Sequence, residues 1–216
     1  MRKRRIEQDK HGEDLIENLA RDRFDMLEEP IIQHDEVNKI NDASINTLRL
    51  ATVMNDDLEV VFLPAIMRVS SNESKIDNIA SGGLYTMFDE EGVMQLDGFF
   101  NENPYGLEND QLIVPEHPRT GYQPHGHKLP YFQESKALVV QMAQAMPELK
   151  LVGWDIAIGQ DGPDVVELNA YPDLHFNQNY YFTKILGQES VGAKKVVEEH
   201  LGIKIHKDYK IEKVNQ

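Results

Sequence analysis

Three oxygen-bearing side chains, Asp155, Glu167 and Asn169, interrupt two short apolar runs that are joined by a polar turn at 160–163. Apolar runs around such a turn predict a β-hairpin. Glu167 and Asn169 are two residues apart, so they project from the same face of their strand, and Asp155 can reach that face from the neighbouring strand. Two carboxylates and an amide suit Mg²⁺, which prefers to share its shell with phosphate oxygens. The hairpin therefore predicts a magnesium site beside a nucleotide, although solvated structural acids would give the same pattern.

Two arginines lie inside apolar runs that alternate like strands. Arg49 stands within 47–51 and Arg68 within 66–69. A guanidinium in such a run needs an anionic partner, which is either a structural carboxylate or a phosphate gripped by the planar group. Together with the predicted magnesium site, two guanidiniums would stabilise charge spread over the oxygens of a transferring phosphoryl group.

Other segments carry weaker signals. Gly82 and Gly83 close a polar stretch and would let backbone N–H groups approach an anion, but a glycine pair is more often only a turn. The connector at 28–31 follows a predicted strand, and its backbone would either face an adenine edge or merely connect two elements. His125 and His127 have a spacing that could ligate a transition metal, yet no carboxylate or cysteine completes the set. We interpret these histidines, with His117, as solvated or substrate-facing.

The hydrophobic pattern predicts strands in the middle of the chain with helices around them. Most strands are connected as hairpins rather than through crossover helices, which predicts an α+β fold with an antiparallel sheet and flanking helices. The segment 99–128 is rich in Pro, Gly, Asn and His and is predicted to be a long loop. The predicted helices are 13–21, a turn or short helix at 35–41, 134–146, 177–186 and 190–200. The predicted strands are 24–28, 44–54, 58–70, 84–88, 93–96 and the two strands of the hairpin around 160–163.

Composition excludes several classes of protein. The chain has 216 residues and a formal charge of −15, which argues against binding to duplex nucleic acid. No apolar run approaches the roughly 20 residues that span a bilayer, and the basic start of the chain is not followed by the apolar segment of a signal peptide. The chain contains no cysteine, which favours a cytoplasmic protein without disulfides or thiol chemistry.

Taken in order, these pieces resemble the ATP-grasp superfamily, most closely its sugar-transfer-associated branch, which is linked to cell-surface polysaccharide genes. The resemblance covers about residues 15–190. It is carried by 28–34, 44–49, Asp77 and Asn78 with the glycine pair, 117–121, 129–130, and the two strands that hold Asp155, Glu167 and Asn169. The elements around Asn78 and Glu167 are also similar to those of the ribosomal-protein glutamate ligases.

The resemblance implies an Mg²⁺-dependent and ATP-dependent carboxylate ligase. In such enzymes a substrate carboxylate attacks the γ-phosphate of ATP, and an amine or another nucleophile then displaces phosphate from the acyl-phosphate. It also implies roles for individual residues. Metal ligands would be Asp155, Glu167 and Asn169; catalytic residues would be Arg49, Arg68 and Asn78; nucleotide-binding residues would be Glu28, Glu29, Ile31, Asp35, Glu36 and Arg49, with the Ile31 backbone reading adenine and Asp35 or Glu36 taking the ribose.

One departure from the family pattern sets the expected domain organisation. Fewer than about thirty residues precede the predicted adenine connector, which is too few for the lysine-bearing subdomain that covers the phosphates in these enzymes. We therefore expect a frayed basic segment at 1–12, an ATP-grasp-like domain at 13–205 that resembles the carboxy-terminal half of the fold, and a polar tail at 206–216. A partner chain or a second copy would complete the cleft around a small or saccharide-linked substrate. The alternatives are a non-catalytic nucleotide-binding or regulatory module and a kinase-type phosphotransferase.

Overall fold

The structure is a computed structural model that describes residues 21, 29–71, 83–101, 113–170, 172, 193–205 and 211–213. The chain divides into two compact units, Met1–Pro30 and Ile31–Gln216. All the helices and strands below belong to the second unit. The predicted helices at 13–21 and 177–186 and the predicted strand at 24–28 lie wholly or almost wholly outside the described residues.

Eight strands of the described residues form one open antiparallel sheet, which confirms the predicted α+β class. The strands of the sheet are β1 (Thr47–Met54), β2 (Val60–Phe62), β3 (Ile66–Val69), β4 (Leu84–Met87), β5 (Phe99–Asn101), β6 (Ile113–Val114), β7 (Leu151–Ile158) and β8 (Pro163–Asn169). Their spatial order is β6-β5-β4-β3-β1-β7-β8, with β2 also paired to β1. Two further strands, β9 (Ile203–Ile205) and β10 (Ile211–Lys213), pair with each other. The helices in the same part of the chain are α1 (Asp35–Asn38), α2 (Phe132–Ala145) and α3 (Ala193–Leu201).

The hairpin predicted around residues 55–57 is present, but its second strand is divided. The Asn55 carboxamide oxygen accepts hydrogen bonds from the backbone N–H groups of Asp57 and Glu59 at 3.0 Å each, which closes the turn. The predicted single strand 58–70 is instead β2 and β3, separated at 63–65. Pro64 lies at the break and has no N–H to donate, so the ladder cannot continue through it.

Two apolar layers cover the sheet, one on each face. On the first face, α2 packs its buried residues Phe132, Val139 and Ala143 into the main core. On the second face, α3 packs Ala193 and Val197 against one end of β1, while an aromatic group that includes Tyr85 and Phe100 covers the region of β3 to β5. Successive residues of a strand point to opposite faces, so odd-numbered residues of β1 and β7 point to this second face.

The loop prediction for 99–128 was wrong in part. Two strands of this segment, β5 and β6, complete the edge of the sheet, and Phe99 and Phe100 are fully buried. The predicted strand at 93–96 is also wrong, because Val93 and Met94 form only isolated bridges. Helix α2 begins two residues before its predicted start, and α3 agrees with the helix predicted at 190–200 except at its ends.

Candidate functional site

The strand register brings the predicted site residues together on the second face of the sheet. Arg49 of β1 lies directly opposite Asp155 of β7, and Asp155 lies directly opposite Glu167 of β8. These three side chains form a row across three strands. On either side of the row, Asn169 is paired with Gly153, and Arg68 of β3 is paired with Thr47 of β1. All these positions share one face because directly paired residues, and residues two apart on a strand, project to the same side.

Asp155 is the centre of the cluster. Arg49 donates from Nε to Oδ1 and from Nη2 to Oδ2, the latter at 2.9 Å. Arg68 donates from Nη2 to the same Oδ2 at 3.2 Å. From the sequence, the partner of each arginine could be either a structural carboxylate or a phosphate. In the structure, both arginines bond to the Asp155 carboxylate.

The side chains of this cluster are largely shielded from water, which strengthens the dependence of each charge on its partner. Asp155 is only 1% exposed, and the side chains of Arg49 and Arg68 are 12% and 17% exposed. An isolated charge at this depth would lose its hydration without compensation, so Asp155 depends on the guanidiniums around it. Among the described residues, two guanidiniums bond to this one carboxylate.

Glu167 and Asn169 contrast with Asp155 because they are not engaged. Glu167 is exposed and Asn169 is half-buried. Neither side chain has a hydrogen-bond or ion-pair partner within the part of the chain that the structure describes. Their oxygens are therefore available beside the buried carboxylate.

The donor set fits a magnesium ion within limits. A carboxylate offers about four lone-pair positions. Arg49 and Arg68 fill three of those on Asp155, two on Oδ2 and one on Oδ1, so one remains for a metal. With Glu167 and Asn169, this gives an oxygen-only set of few protein ligands, as Mg²⁺ takes. No group of three or more His, Cys, Asp or Glu side chains among the described residues could hold a metal ion by itself.

Two features of the hairpin that the sequence did not reveal shape the site. The pairing shifts between Asp155 and Ile156, so that Val166 is an extra residue on β8. This β-bulge keeps Glu167 opposite Asp155 while the strand continues to the turn. Gly153 lies beside Arg49: a Cβ there would be 3.7 Å from Arg49 Nη1 and 2.8 Å from the Cβ of Pro172. The absence of a side chain at Gly153 therefore makes room for Pro172, whereas a Cβ would be in ordinary van der Waals contact with Arg49.

The residues predicted to bind adenine and ribose lie near the end of the β7–β8 hairpin. The carbonyl of Ile32 accepts a hydrogen bond from the backbone N–H of Gln160 at 3.2 Å, and Ile31 is half-buried. Asp35 is exposed in α1 and accepts from the Gln160 side chain at 3.0 Å. Glu36, also exposed, pairs with Lys39 and lines an open depression of about 450 Å³ with residues 128–134.

A buried polar residue, Gln33, anchors this segment. Its carboxamide oxygen accepts from the backbone N–H and the side chain of Asn46 at 2.7 and 3.1 Å, and its amide donates to Asn38 and to the Asn41 carbonyl. Its backbone bridges to Gly159. The spacing of these polar residues gave no signal for this network, because each of them alone resembles a loop residue.

The structure does not test the remaining predicted residues. Glu28 and Asn78 lie outside the described residues. Glu29 is exposed and belongs to the first compact unit. Their predicted roles remain predictions.

The interpretation of His117 as solvated or substrate-facing was wrong. His117 is fully buried, with Nε2 2.7 Å from the Ser70 carbonyl and Nδ1 near the backbone N–H groups of Arg119 and Thr120. This arrangement fits a neutral ring with its proton on Nε2. Burial lowers the pKa of His117, and the charge of Arg119 lowers it further, against the opposing effect of the Ser70 bond. His125 and His127 are exposed.

An open antiparallel sheet with flanking helices, carrying a mixed cluster of carboxylates, amide and guanidiniums on one face, is consistent with an ATP-grasp-like fold. A family model described as sugar-transfer associated ATP-grasp matches residues 18–191, and the chain belongs to this family. Membership supports an ATP-grasp type of ligase or transferase linked to sugar biosynthesis. No curated protein and no solved structure matches the chain. None of the helices in the described residues has the length and apolar character needed to cross a membrane.

Proposed function

We propose that this protein is a ligase that uses Mg²⁺ and ATP to activate a carboxylate on a saccharide-linked substrate for attack by an amine or another nucleophile. The observation that carries the proposal is the convergence of Arg49, Arg68, Asp155, Glu167 and Asn169 on one sheet face. Family membership supplies the class of reaction. The described cluster includes no nucleophilic side chain, so the proposed catalysis works by positioning and charge stabilisation.

The proposed magnesium ligands are Glu167 and Asn169, together with the remaining lone pair of Asp155. Support comes from the oxygens of Glu167 and Asn169, which have no partner in the described part of the chain, and from the position of Asp155 opposite Glu167. Bound Mg²⁺ supplies neutralisation of the phosphate charge. The chain's own contribution is to hold these oxygens on neighbouring strands, where the ladder fixes their spacing.

The two guanidiniums are proposed to hold the transferring phosphoryl group and the acyl-phosphate. Arg49 uses Nε and Nη2 on Asp155. Among the described residues, its Nη1 makes no hydrogen bond, so an N–H group remains for an anion. A cation whose orientation is already fixed needs little reorganisation as negative charge develops.

The nucleotide is proposed to lie along the segment that begins near Ile31. In this proposal the Ile31 backbone reads adenine with Glu28 and Glu29 nearby, Asp35 or Glu36 takes the ribose, and Asn78 lies on the substrate side. The half-buried Ile31 and the exposed carboxylates of Asp35 and Glu36 support these assignments.

Calorimetric titration of the chain with Mg-ATP, repeated without Mg²⁺, tests the proposal. We expect binding that depends on Mg²⁺ and is weakened at least about tenfold by Glu167→Gln, which removes one charged ligand. Glu148→Gln is the matched control, because Glu148 is an exposed glutamate in the turn after α2. Absence of Mg-ATP binding, or equal binding by both variants, contradicts the proposal.

A second candidate is a nucleotide-binding module that becomes catalytic only when a partner chain completes the cleft. The observation that favours it is that Glu167 is exposed and Asn169 only half-buried, so this side of the proposed site is open. Phosphate release from ATP distinguishes the candidates. Release above background that Glu167→Gln abolishes supports the ligase, whereas binding without release supports the module. A phosphorylated product without ligation would instead indicate a kinase-type phosphotransferase.

A further inference from the structure

The two arginines of the cluster are held in different ways. Arg49 is held by the Asp155 carboxylate through two N–H groups. Arg68 makes one bond to that carboxylate, at 3.2 Å, and two to the hydroxyl of Thr47, from Nε at 3.0 Å and from Nη2 at 2.8 Å. The two shortest of these three bonds therefore go to a hydroxyl and not to an acid.

The strand register explains how Thr47 reaches Arg68. The two residues are directly paired across β1 and β3, and Thr47 lies two positions before Arg49 on the same face. Thr47 is 4% exposed, so water does not compete well for its oxygen. A β-branched residue in a strand has a restricted χ1 angle, which fixes where the hydroxyl points.

We propose that Thr47 is a positioning residue that orients the Arg68 guanidinium toward the anion bound at this face. A hydroxyl suits this task because it fixes the plane of the guanidinium without cancelling its charge. A carboxylate at position 47 would instead place a further negative charge beside the guanidinium. The identity of the anion as the phosphates of Mg-ATP rests on the proposed function, whereas the orienting role does not.

The orienting role is tested on the guanidinium itself. The Nε–H signal of Arg68 is observed by NMR in ¹⁵N-labelled protein and is assigned by its loss in Arg68→Lys. We expect this signal to be visible and protected from exchange with water. Thr47→Val keeps the shape of the side chain but removes the acceptor, so we expect the signal to shift and its exchange to accelerate at least about tenfold. Thr47→Ser keeps the hydroxyl and is expected to restore most of the protection.

Thr86→Val is the control, because Thr86 is also fully buried but belongs to the opposite face of the sheet, opposite Met67. This variant is expected to leave the Arg68 signal unchanged. An Arg68 signal that is absent from the wild-type protein, or that is the same in Thr47→Val as in Thr86→Val, overturns the proposal.

The second measurement is the affinity for Mg-ATP. We expect about tenfold weaker binding for Thr47→Val, equivalent to about 1.4 kcal/mol, and recovery in Thr47→Ser. If no form of the chain binds Mg-ATP, the proposed function fails, and the Arg68 signal alone decides the role of Thr47. If Mg-ATP binds equally to all three proteins, Thr47 does not position Arg68 for this ligand and the proposal is overturned.

Discussion

Arg49 and Asp155 lie directly opposite each other on β1 and β7, and the guanidinium of Arg49 bonds to both oxygens of the Asp155 carboxylate. Asp155 is buried and the Arg49 side chain is only 12% exposed. Breaking a buried pair by removing one partner leaves an uncompensated charge, which costs much more than an exposed pair contributes. Asp155, which lies at the centre of the proposed site, is therefore also a structural residue. The effect of an Asp155 variant on binding must be distinguished from its effect on stability by measuring both.

We predict that Asp155→Asn lowers the free energy of unfolding by about 3 kcal/mol, because it removes the buried negative charge to which both guanidiniums bond and directs an amide N–H group toward a guanidinium. Glu167→Gln, one strand further along the same row, should change stability by less than about 0.5 kcal/mol, since Glu167 is exposed. Urea denaturation of both variants measures the difference. Equal losses of stability would show that the two carboxylates do not have separate roles.

Gly153 should not tolerate a side chain. A Cβ at this position would lie 2.8 Å from the Cβ of Pro172, closer than real contacts allow. We predict that Gly153→Ala costs about 1–3 kcal/mol of stability, as overpacking does. The control is the same change in a Pro172→Gly background, where the conflicting Cβ is absent. The two changes should be less than additive in a double-mutant cycle, and strict additivity would contradict the steric explanation.

The hairpin of β7 and β8 could be predicted from the sequence because its information is local. Alternating apolar residues around a turn give the two strands, and the spacing of Glu167 and Asn169 gives their common face. The sequence could suggest that the acids face Arg49, but it could not show that Asp155 itself is the partner of Arg49, because β1 and β7 are distant in the chain and the sheet order makes them neighbours. The same applies to Thr47, whose relation to Arg68 exists only once β1 and β3 are paired.

In segment 99–128, unlike in the β7–β8 hairpin, the local sequence pattern did not predict the strands. Its strands β5 and β6 have only three and two residues, too few for a recognisable period. Polar residues such as His117 look solvated when each is considered alone. In the structure His117 is buried and has a backbone partner in the Ser70 carbonyl, whereas His125 and His127 are exposed.

Two buried threonines should respond in opposite directions to the same substitution. Among the described residues the hydroxyl of Thr86 has no hydrogen-bond partner, whereas the hydroxyl of Thr52 accepts from Trp154 Nε1 at 2.9 Å. We predict that Thr86→Val stabilises the protein by about 1 kcal/mol, because it removes an unsatisfied polar group, and that Thr52→Val destabilises it by a similar amount. Thermal or urea unfolding of both variants provides the measurement. A loss of stability in Thr86→Val would mean that its hydroxyl has a partner.

The buried His117 predicts a loss of stability in mild acid. Burial holds the pKa of His117 below its usual value, so the folded protein keeps the ring neutral, while the unfolded chain binds a proton near pH 6.5. The unfolded state therefore binds more protons in this window. The contribution of His117 is fully present above about pH 6.5 and is lost as the pH falls toward the lowered pKa, with a slope of at most about 1.4 kcal/mol per pH unit.

Urea denaturation between pH 5 and 7 measures this slope, which should be smaller in His117→Asn because Asn does not titrate. An NMR titration of the His117 ring provides the independent check: a midpoint at or above pH 6.5 would contradict the prediction.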